Sequence, residues 1–417
     1  MTANAGDSPL PRGVAWVIAV AATLTMTVSL VDRSTLAVLA PTVTQVMGIS
    51  ETSYGWLAGS FSLAYLIMTP LSGRWIDRVG ARRGLVGSVL VWSTVAALHA
   101  VAPSFAVLFA LRVALGAAES PSFPGTAQTL QRVLPASERA RGYGVLFTGS
   151  SLGGMLAPPL ASFLFKVAGW RFAFLGTAAA GLVWVPLWIV LTRAEPVARQ
   201  LDAAGPSSDE ERRATFTELL RNPATIRTVL VILAVSPMVA IFNSWGSKLL
   251  VSRFAITQAN VGHYLWLPPL ATDAGALLFG DFSARQLRAA GVAPRGLYAV
   301  AIMLAAVVGL LPLAETPWQA MTIAGIACAG GGATFTLITA DMLGRMPARS
   351  VSAAGGILAA SQSIAFIVAN PLIGAAVDRY HDYNRVALFA TAWMIPGAAF
   401  WWLRAAAKPA ATPHDRP

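Results

Sequence analysis

Twelve runs of about 20 mostly apolar residues, joined by short polar loops, dominate this 417-residue chain. About 20 apolar residues make a helix long enough to cross the hydrocarbon layer of a bilayer. Six runs fall near 14–40, 53–73, 82–100, 104–131, 142–166 and 171–192. Six more fall near 226–250, 258–284, 295–313, 317–343, 351–377 and 386–404. Pro158, Pro159, Pro268 and Pro269 lie inside them, which neighbouring helices tolerate by satisfying the freed backbone groups. Charged residues are only 12% of the chain, about half the share of a soluble domain. A string of soluble domains, or a disordered chain, is excluded because the charged surface is missing. The expected fold is an all-α polytopic membrane protein.

The longest polar stretch, 194–224, contains Gly205, Pro206, Ser207 and the charged run Asp209 to Arg213. It reads as a linker between two six-helix halves, 14–193 and 225–404, with tails 1–13 and 405–417. A faint repeat supports two related halves: Gly73-Arg74-Trp75-Ile76-Asp77-Arg78 in the first and Gly280-Asp281-Phe282-Ser283-Ala284-Arg285 in the second. Such internal repeats are the plan of many transporters, with the site near the bilayer midplane between the repeats. The first run is too long for a signal h-region and contains Asp32 and Arg33, so it is expected to remain as a span.

The net charge is +11. With both termini inside, the inner loops and tails carry about 22 Lys and Arg, and the outer loops five: Lys166, Arg171, Arg253, Arg379 and Arg385. That asymmetry is the positive-inside pattern. It explains the basic charge by orientation in the bilayer and leaves no case for nucleic acid. Cys328 stands alone and the four histidines are scattered, so no disulfide or metal site is expected.

Charges inside spans are costly and are functional candidates by default. Asp32 and Arg33 lie in the first run, Arg112 and Glu119 in the fourth, Lys248 and Asp273 in the seventh and eighth, and Asp341 at the end of the tenth. Arg112 and Glu119 are seven residues apart, two helical turns and roughly 10.5 Å of rise, on one face. Asp32 and Arg33 are adjacent, so their side chains diverge by about 100°. One can face a cavity while the other faces a neighbouring helix. Desolvation favours a neutral carboxyl and a nearby guanidinium favours the charged form. Asp32 and Glu119 can therefore change protonation as their neighbours move, while an arginine holds an anion. The competing role is that of structural ion pairs.

Gly73, Asp77, Arg78, Gly80, Arg82 and Arg83 follow the second run. Their spacing suits a tight turn clamped to neighbouring helix ends, a conformational latch. At this motif the chain resembles the major facilitator superfamily, whose loop between spans two and three reads Gly, three residues, Asp-Arg, one residue, Gly, then basic residues. The resemblance extends over twelve spans and a central linker. A narrower one adds to it. Asp32-Arg33-Ser34-Thr35-Leu36-Ala37-Val38, the run Arg112 to Gly125, Glu138-Arg139-Ala140-Arg141 and Gly149 to Pro159 are similar to elements of the anion:cation symporter family.

That resemblance implies proton-coupled uptake of a small organic anion by alternating access, with a sugar acid such as a hexuronate or aldonate as substrate. It implies Asp32 and Glu119 as proton-coupling carboxylates, Arg33 and Tyr65 as substrate contacts, and Arg112 as a charge partner. The segments Phe242-Asn243-Ser244-Trp245-Gly246-Ser247-Lys248 and His263 to Pro269 resemble the hexuronate branch. On that basis Asn243, Trp245 and Lys248 are candidate substrate residues, with Asp273 a charge partner; Asn370, before Pro371 in the eleventh run, is a further candidate for binding a hydroxyl. Three roles stay open for Lys248: binding a second carboxylate, pairing with Asp273, or reaching to the outer surface. Asn370 can equally bond helix to helix. The proton is the only coupling agent expected, with no cofactor, no metal and no enzymatic activity. The expected protein is a monomer in the bacterial inner membrane. The alternative function is an exporter of drugs or metabolites with the same fold, which needs no fixed anion ligand.

Overall fold

The computed structural model describes residues 10–202, 216–290, 295–343, 345–346 and 351–404. The charged run Asp209 to Arg213 and most of the two expected tails lie outside the described residues. All secondary structure among the described residues is helical. The first part of the chain forms α1 (Arg12–Met47), α2 (Glu51–Val79), α3 (Ala81–Leu98), α4 (Phe105–Glu119), α5 (Ser122–Val133) and α6 (Ala136–Thr192). Two short helices follow, α7 (Glu195–Asp202) and α8 (Phe216–Arg221), both in the stretch expected to be a plain linker. The remainder is α9 (Pro223–Phe254), α10 (Gly262–Leu265), α11 (Leu267–Ala290), α12 (Arg295–Ala306), α13 (Pro317–Leu343), α14 (Val351–Tyr380) and α15 (Tyr383–Arg404). A 3-10 segment, Val307–Leu313, prolongs α12.

Eight helical segments among the described residues are long and apolar enough to cross a membrane. One of them, α6, has 57 residues. As one rod it would be roughly 85 Å long, nearly three times the hydrocarbon thickness. Its backbone breaks at Ala168 and Gly169, where φ of Gly169 is 81°, so it makes two passes. The break falls in the gap between the fifth and sixth apolar runs. With α2, α11 and α15, of 29, 24 and 22 residues, all twelve apolar runs are helical and of crossing length.

The chain divides into two compact units. One is Met1–Ser207 with Asn243–Trp266, the other Ser208–Phe242 with Leu267–Pro417. Hydrogen bonds explain why Asn243–Trp266 belongs to the first unit. The Tyr54 hydroxyl donates to the Ser244 carbonyl at 2.5 Å, and Ser247 Oγ to the Val38 carbonyl at 2.5 Å. Gln258 Nε2 donates to the same carbonyl at 2.7 Å, and the Gly262 amide to Ser162 Oγ at 2.9 Å. The helix α9 thus starts in one unit and ends in the other.

In the first unit α1 packs closely along α6. Thr27 Oγ1 donates to the Gly149 carbonyl at 2.8 Å, and the Trp184 indole to the Ala21 carbonyl at 2.7 Å. Small residues allow such backbone approach, and van der Waals contact is what drives helix association in lipid. At Gly153 a Cβ would sit 2.5 Å from the Thr27 carbonyl oxygen. In the second unit, Asp341 at the end of α13 lies between Arg227 of α9 and Arg345. Arg345 Nη2 is 2.9 Å from the carboxylate, and Arg227 pairs with the other oxygen. Beside them Tyr298 stacks on Trp401 with ring centroids 3.8 Å apart.

Gly153→Ala should lower stability by about 1–3 kcal/mol, the usual cost of overpacking. Gly355→Ala, where a Cβ meets nothing within 4 Å, should cost nothing. Thermal melting of both variants in detergent checks this, and equal melting temperatures would contradict it.

Candidate anion and proton site

The site is built from α1, α2 and α4 of the first unit. Two prolines decide where Glu119 stands. Pro121 and Pro124 lack the N–H groups that would bond the carbonyls of Ala117 and Ser120 in a continuous helix. Hydroxyls take both carbonyls instead: Ser120 Oγ donates to Ala117 at 2.8 Å and Ser72 Oγ to Ser120 at 3.0 Å. The helix therefore breaks after Glu119 without leaving these acceptors bare in lipid. Glu119 is placed at the break, with its carboxylate turned towards α1.

That carboxylate is 0% exposed, and Arg33 Nη2 lies 3.0 Å from Oε2. Arg33 Nε is 3.3 Å from the same oxygen, and Ser29 Oγ donates to it at 2.7 Å. Glu119 Oε1 has no hydrogen-bond partner among the described residues. Arg33 is the hub of the site. Its backbone carbonyl accepts from Arg112 Nη1 at 3.2 Å. Its guanidinium lies 4.5 Å from the Phe61 ring centroid and 5.2 Å from that of Tyr65. Phe61 also faces Arg112, at 5.2 Å. A desolvated cation over an aromatic face gains on the order of 2 kcal/mol. Gly116 makes this possible, because a Cβ there would run into the Phe61 carbonyl. Only a bare backbone lets α4 come that close to α2.

Asp32 and Arg33 diverge, as adjacent residues on a helix must. The Arg33 side chain is 29% exposed, whereas Asp32 is buried against α3 near Trp92. The Trp92 indole lies beside the carboxyl, and among the described residues neither Asp32 oxygen nor the indole nitrogen makes a hydrogen bond of ordinary geometry. An isolated ionised carboxylate in such surroundings is costly. The arrangement can thus do two things. It can trade an internal carboxylate for an external one at Arg33, and it can hold protons on two buried carboxyls.

The remaining candidates are dispersed. Lys248 is 6% exposed and pairs with Glu51 at 3.0 Å, while donating to Thr44 Oγ1 at 2.6 Å. Trp245 is buried and meets the Tyr54 ring edge-on at 4.8 Å. Asn243 is exposed. Asn370 is buried in α14 and donates to the Phe366 carbonyl of its own helix at 2.9 Å. Asp273 is half-buried in α11.

The loop between α2 and α3 is clamped from two sides. Asp77 accepts from Gln128 Nε2 at 2.9 Å, and Gln128 Oε1 accepts from the Ala81 amide at 2.9 Å. Gly80 has φ of 84°, and Arg82 pairs with Asp202 of α7 at 3.2 Å. Gln200 Nε2 donates to the Arg132 carbonyl at 2.6 Å, and Arg132 reaches the Leu201 carbonyl. The helix α7 is therefore docked under the bundle, with Val197 and Leu201 buried. Gly73 has open space around it and Arg78 is exposed.

Ser29, Phe61, Trp92, Glu51, Gln128 and Asp202 are not marked as site residues by the sequence. For Ser29 and Phe61 a signal exists: each lies one helical turn before a flagged residue, Arg33 and Tyr65. Glu51 reads as an ordinary helix-start acid and Asp202 as part of the linker.

Residues 22–365 match the Major Facilitator Superfamily, and the chain belongs to that family. It is an integral, multi-pass membrane transporter and not an enzyme. The hexuronate transporter of Escherichia coli (strain K12) is 26% identical over 395 residues, 88% of each chain. The galacturonate transporter of Dickeya chrysanthemi is 27% identical over 280 residues, covering 64% of this chain and 81% of that one. Among solved structures, a bacterial homologue of the human lysosomal transporter Spinster matches with a TM-score of 0.82 and 18% identity, over 97% of this chain and all of that one.

Lys248→Met should remove the ion pair with Glu51 and lower stability, while Glu51→Gln with Lys248→Met should recover part of the loss. A double-mutant melting cycle in detergent should give a coupling on the order of 1–3 kcal/mol. Strictly additive effects would mean the pair does not hold α9 in place.

Proposed function

We propose that the protein imports a small organic anion together with protons by alternating access, and that the anion is a sugar acid such as a hexuronate or an aldonate. The observation that carries this reading is the Arg33–Glu119 pair. A partly exposed guanidinium, lying over two stacked aromatic rings, is bound by a fully buried carboxylate. The names of the relatives above support the substrate class, as does a D-galactonate transporter of Escherichia coli O6:H1, 23% identical over 379 residues, 86% of this chain and 88% of that one.

In this reading a proton on Glu119 removes the charge that holds Arg33. The guanidinium then takes the substrate carboxylate, whose planar geometry it matches through two parallel hydrogen bonds. Phe61 and Tyr65 keep the guanidinium in place during the exchange. Arg112 fixes the α1 backbone at Arg33, and Asp32 is the second proton carrier. Loss of the Glu119 proton restores the internal pair and expels the anion. Asn243, Trp245 and Asn370 are candidates for the hydroxyl side of the sugar, with Asp273 as a charge partner. Lys248 would reach substrate only after leaving Glu51. Gly73, Asp77, Arg78, Gly80 and Arg82 form a latch, with Asp202 as partner of Arg82. The protein acts as a monomer in the bacterial inner membrane, with both termini in the cytoplasm.

The test is uptake into proteoliposomes under an inward proton gradient, with glucuronate, galacturonate, galactonate and glucarate. Uptake should rise as the outer pH falls, because protonation of Glu119 frees Arg33. Arg33→Ala should abolish it. An exporter of apolar compounds would keep its transport in Arg33→Ala, which separates the two readings. Glu119→Gln should still exchange labelled substrate across the membrane but no longer concentrate it. Normal gradient-driven accumulation by that variant would remove Glu119 from coupling.

A further inference from the structure

The start of α1 and the start of α6 form a second charged site that the transport cycle does not use. Both oxygens of Glu138 are occupied from α1. Arg12 Nε lies 2.6 Å from Oε1, and the Trp16 indole donates to Oε2 at 2.5 Å. These bonds fix the indole as a wall. Arg141, one turn along α6, places its guanidinium 5.3 Å from the Trp16 ring centroid. The result is an open pocket of about 350 Å³ lined by Arg12, Gly13, Trp16 and Arg141.

The charge balance of this pocket is positive. Glu138 neutralises one of its two arginines. Arg141 makes no ion pair among the described residues, and Arg12 is 69% exposed beyond its Nε contact. Below the pocket, Gly13, Val17 and Val20 recur along one face of α1. Val17 and Val20 are among the exposed apolar residues, and a Cβ at Gly13 meets nothing within 4 Å. This face lies opposite the one carrying Ser29 and Arg33, by the 100° step of the helix. It therefore looks away from the candidate anion site.

We propose that this pocket binds the headgroup phosphate of an anionic phospholipid, with an acyl chain along Val17 and Val20. Three features select a lipid over a free anion. The pocket stands at the end of a membrane-crossing helix, where tryptophan marks the water–lipid boundary. One of its lining residues, Gly13, begins the exposed apolar strip that continues through Val17 and Val20. Paired guanidiniums match phosphate geometry, and basic pockets at helix ends are a recurring way to bind acidic headgroups. The site would tie the start of α1, whose far end carries Asp32 and Arg33, to the membrane surface.

The test is native mass spectrometry of the full-length protein in detergent, titrated with phosphatidylglycerol, phosphatidylethanolamine or inorganic phosphate. The wild type should carry phosphatidylglycerol in preference to phosphatidylethanolamine. Arg12→Gln with Arg141→Gln should weaken phosphatidylglycerol binding roughly 25-fold, about fivefold for each arginine lost. Arg141→Gln alone, which breaks no ion pair among the described residues, should lose about fivefold, and it keeps the test valid if the double variant melts early. Unchanged phosphatidylglycerol binding in Arg141→Gln overturns the proposal. Displacement of phosphatidylglycerol by an equal concentration of inorganic phosphate also overturns it, because the pocket would then take a free anion.

Discussion

A carboxylate with no exposure to water must be neutral or paired, and Glu119 is paired with Arg33. Much of the first unit is arranged around that requirement. The α4–α5 break at Pro121 turns Glu119 towards α1. Ser29 supplies a further donor to the carboxylate. The bare backbone at Gly116 brings α2 close enough for Phe61 to cover both Arg33 and Arg112. Removing one member of such a cluster leaves a buried charge or dipole uncompensated, which costs far more than a surface pair. The same physics makes the pair suited to exchange. A proton on the carboxylate or an anion at the guanidinium each relieves the need for the other partner.

A second constraint is that every backbone acceptor in a lipid-embedded helix needs a donor. Proline breaks this rule locally, and in this chain side chains repair it. Ser72 and Ser120 take the carbonyls freed at the α4–α5 junction. Two side chains of the Asn243–Trp266 segment, Ser247 and Gln258, converge on the Val38 carbonyl of α1. Together with the Lys248–Glu51 pair, these bonds bind the end of α9 to the first unit. Lys248 is thus occupied structurally in this arrangement, whatever it meets when that contact opens.

The signature loop also gains a partner that its own residues do not specify. Asp77 and Gln128 cap the start of α3, while Arg82 leaves the loop to meet Asp202 on α7. The polar stretch between the halves is therefore not a passive tether at its start. Its first helix carries two apolar residues, Val197 and Leu201, into the core beneath the bundle.

The twelve passes, the charges inside them and the divergence of Asp32 from Arg33 were legible in the sequence. Each follows from local rules: hydropathy over about 20 residues, the cost of charge in lipid, and the 100° helical step. Even the turn inside the 57-residue helix showed as a gap between apolar runs. Partner choice was not legible. That Arg33 takes Glu119, Lys248 takes Glu51 and Arg82 takes Asp202 depends on which helices touch. These pairs are separated by 86, 197 and 120 positions, and charge alone offered each cation several acids. The tertiary structure decided among them because helix contact is set by where small residues let backbones meet, a property of two surfaces at once.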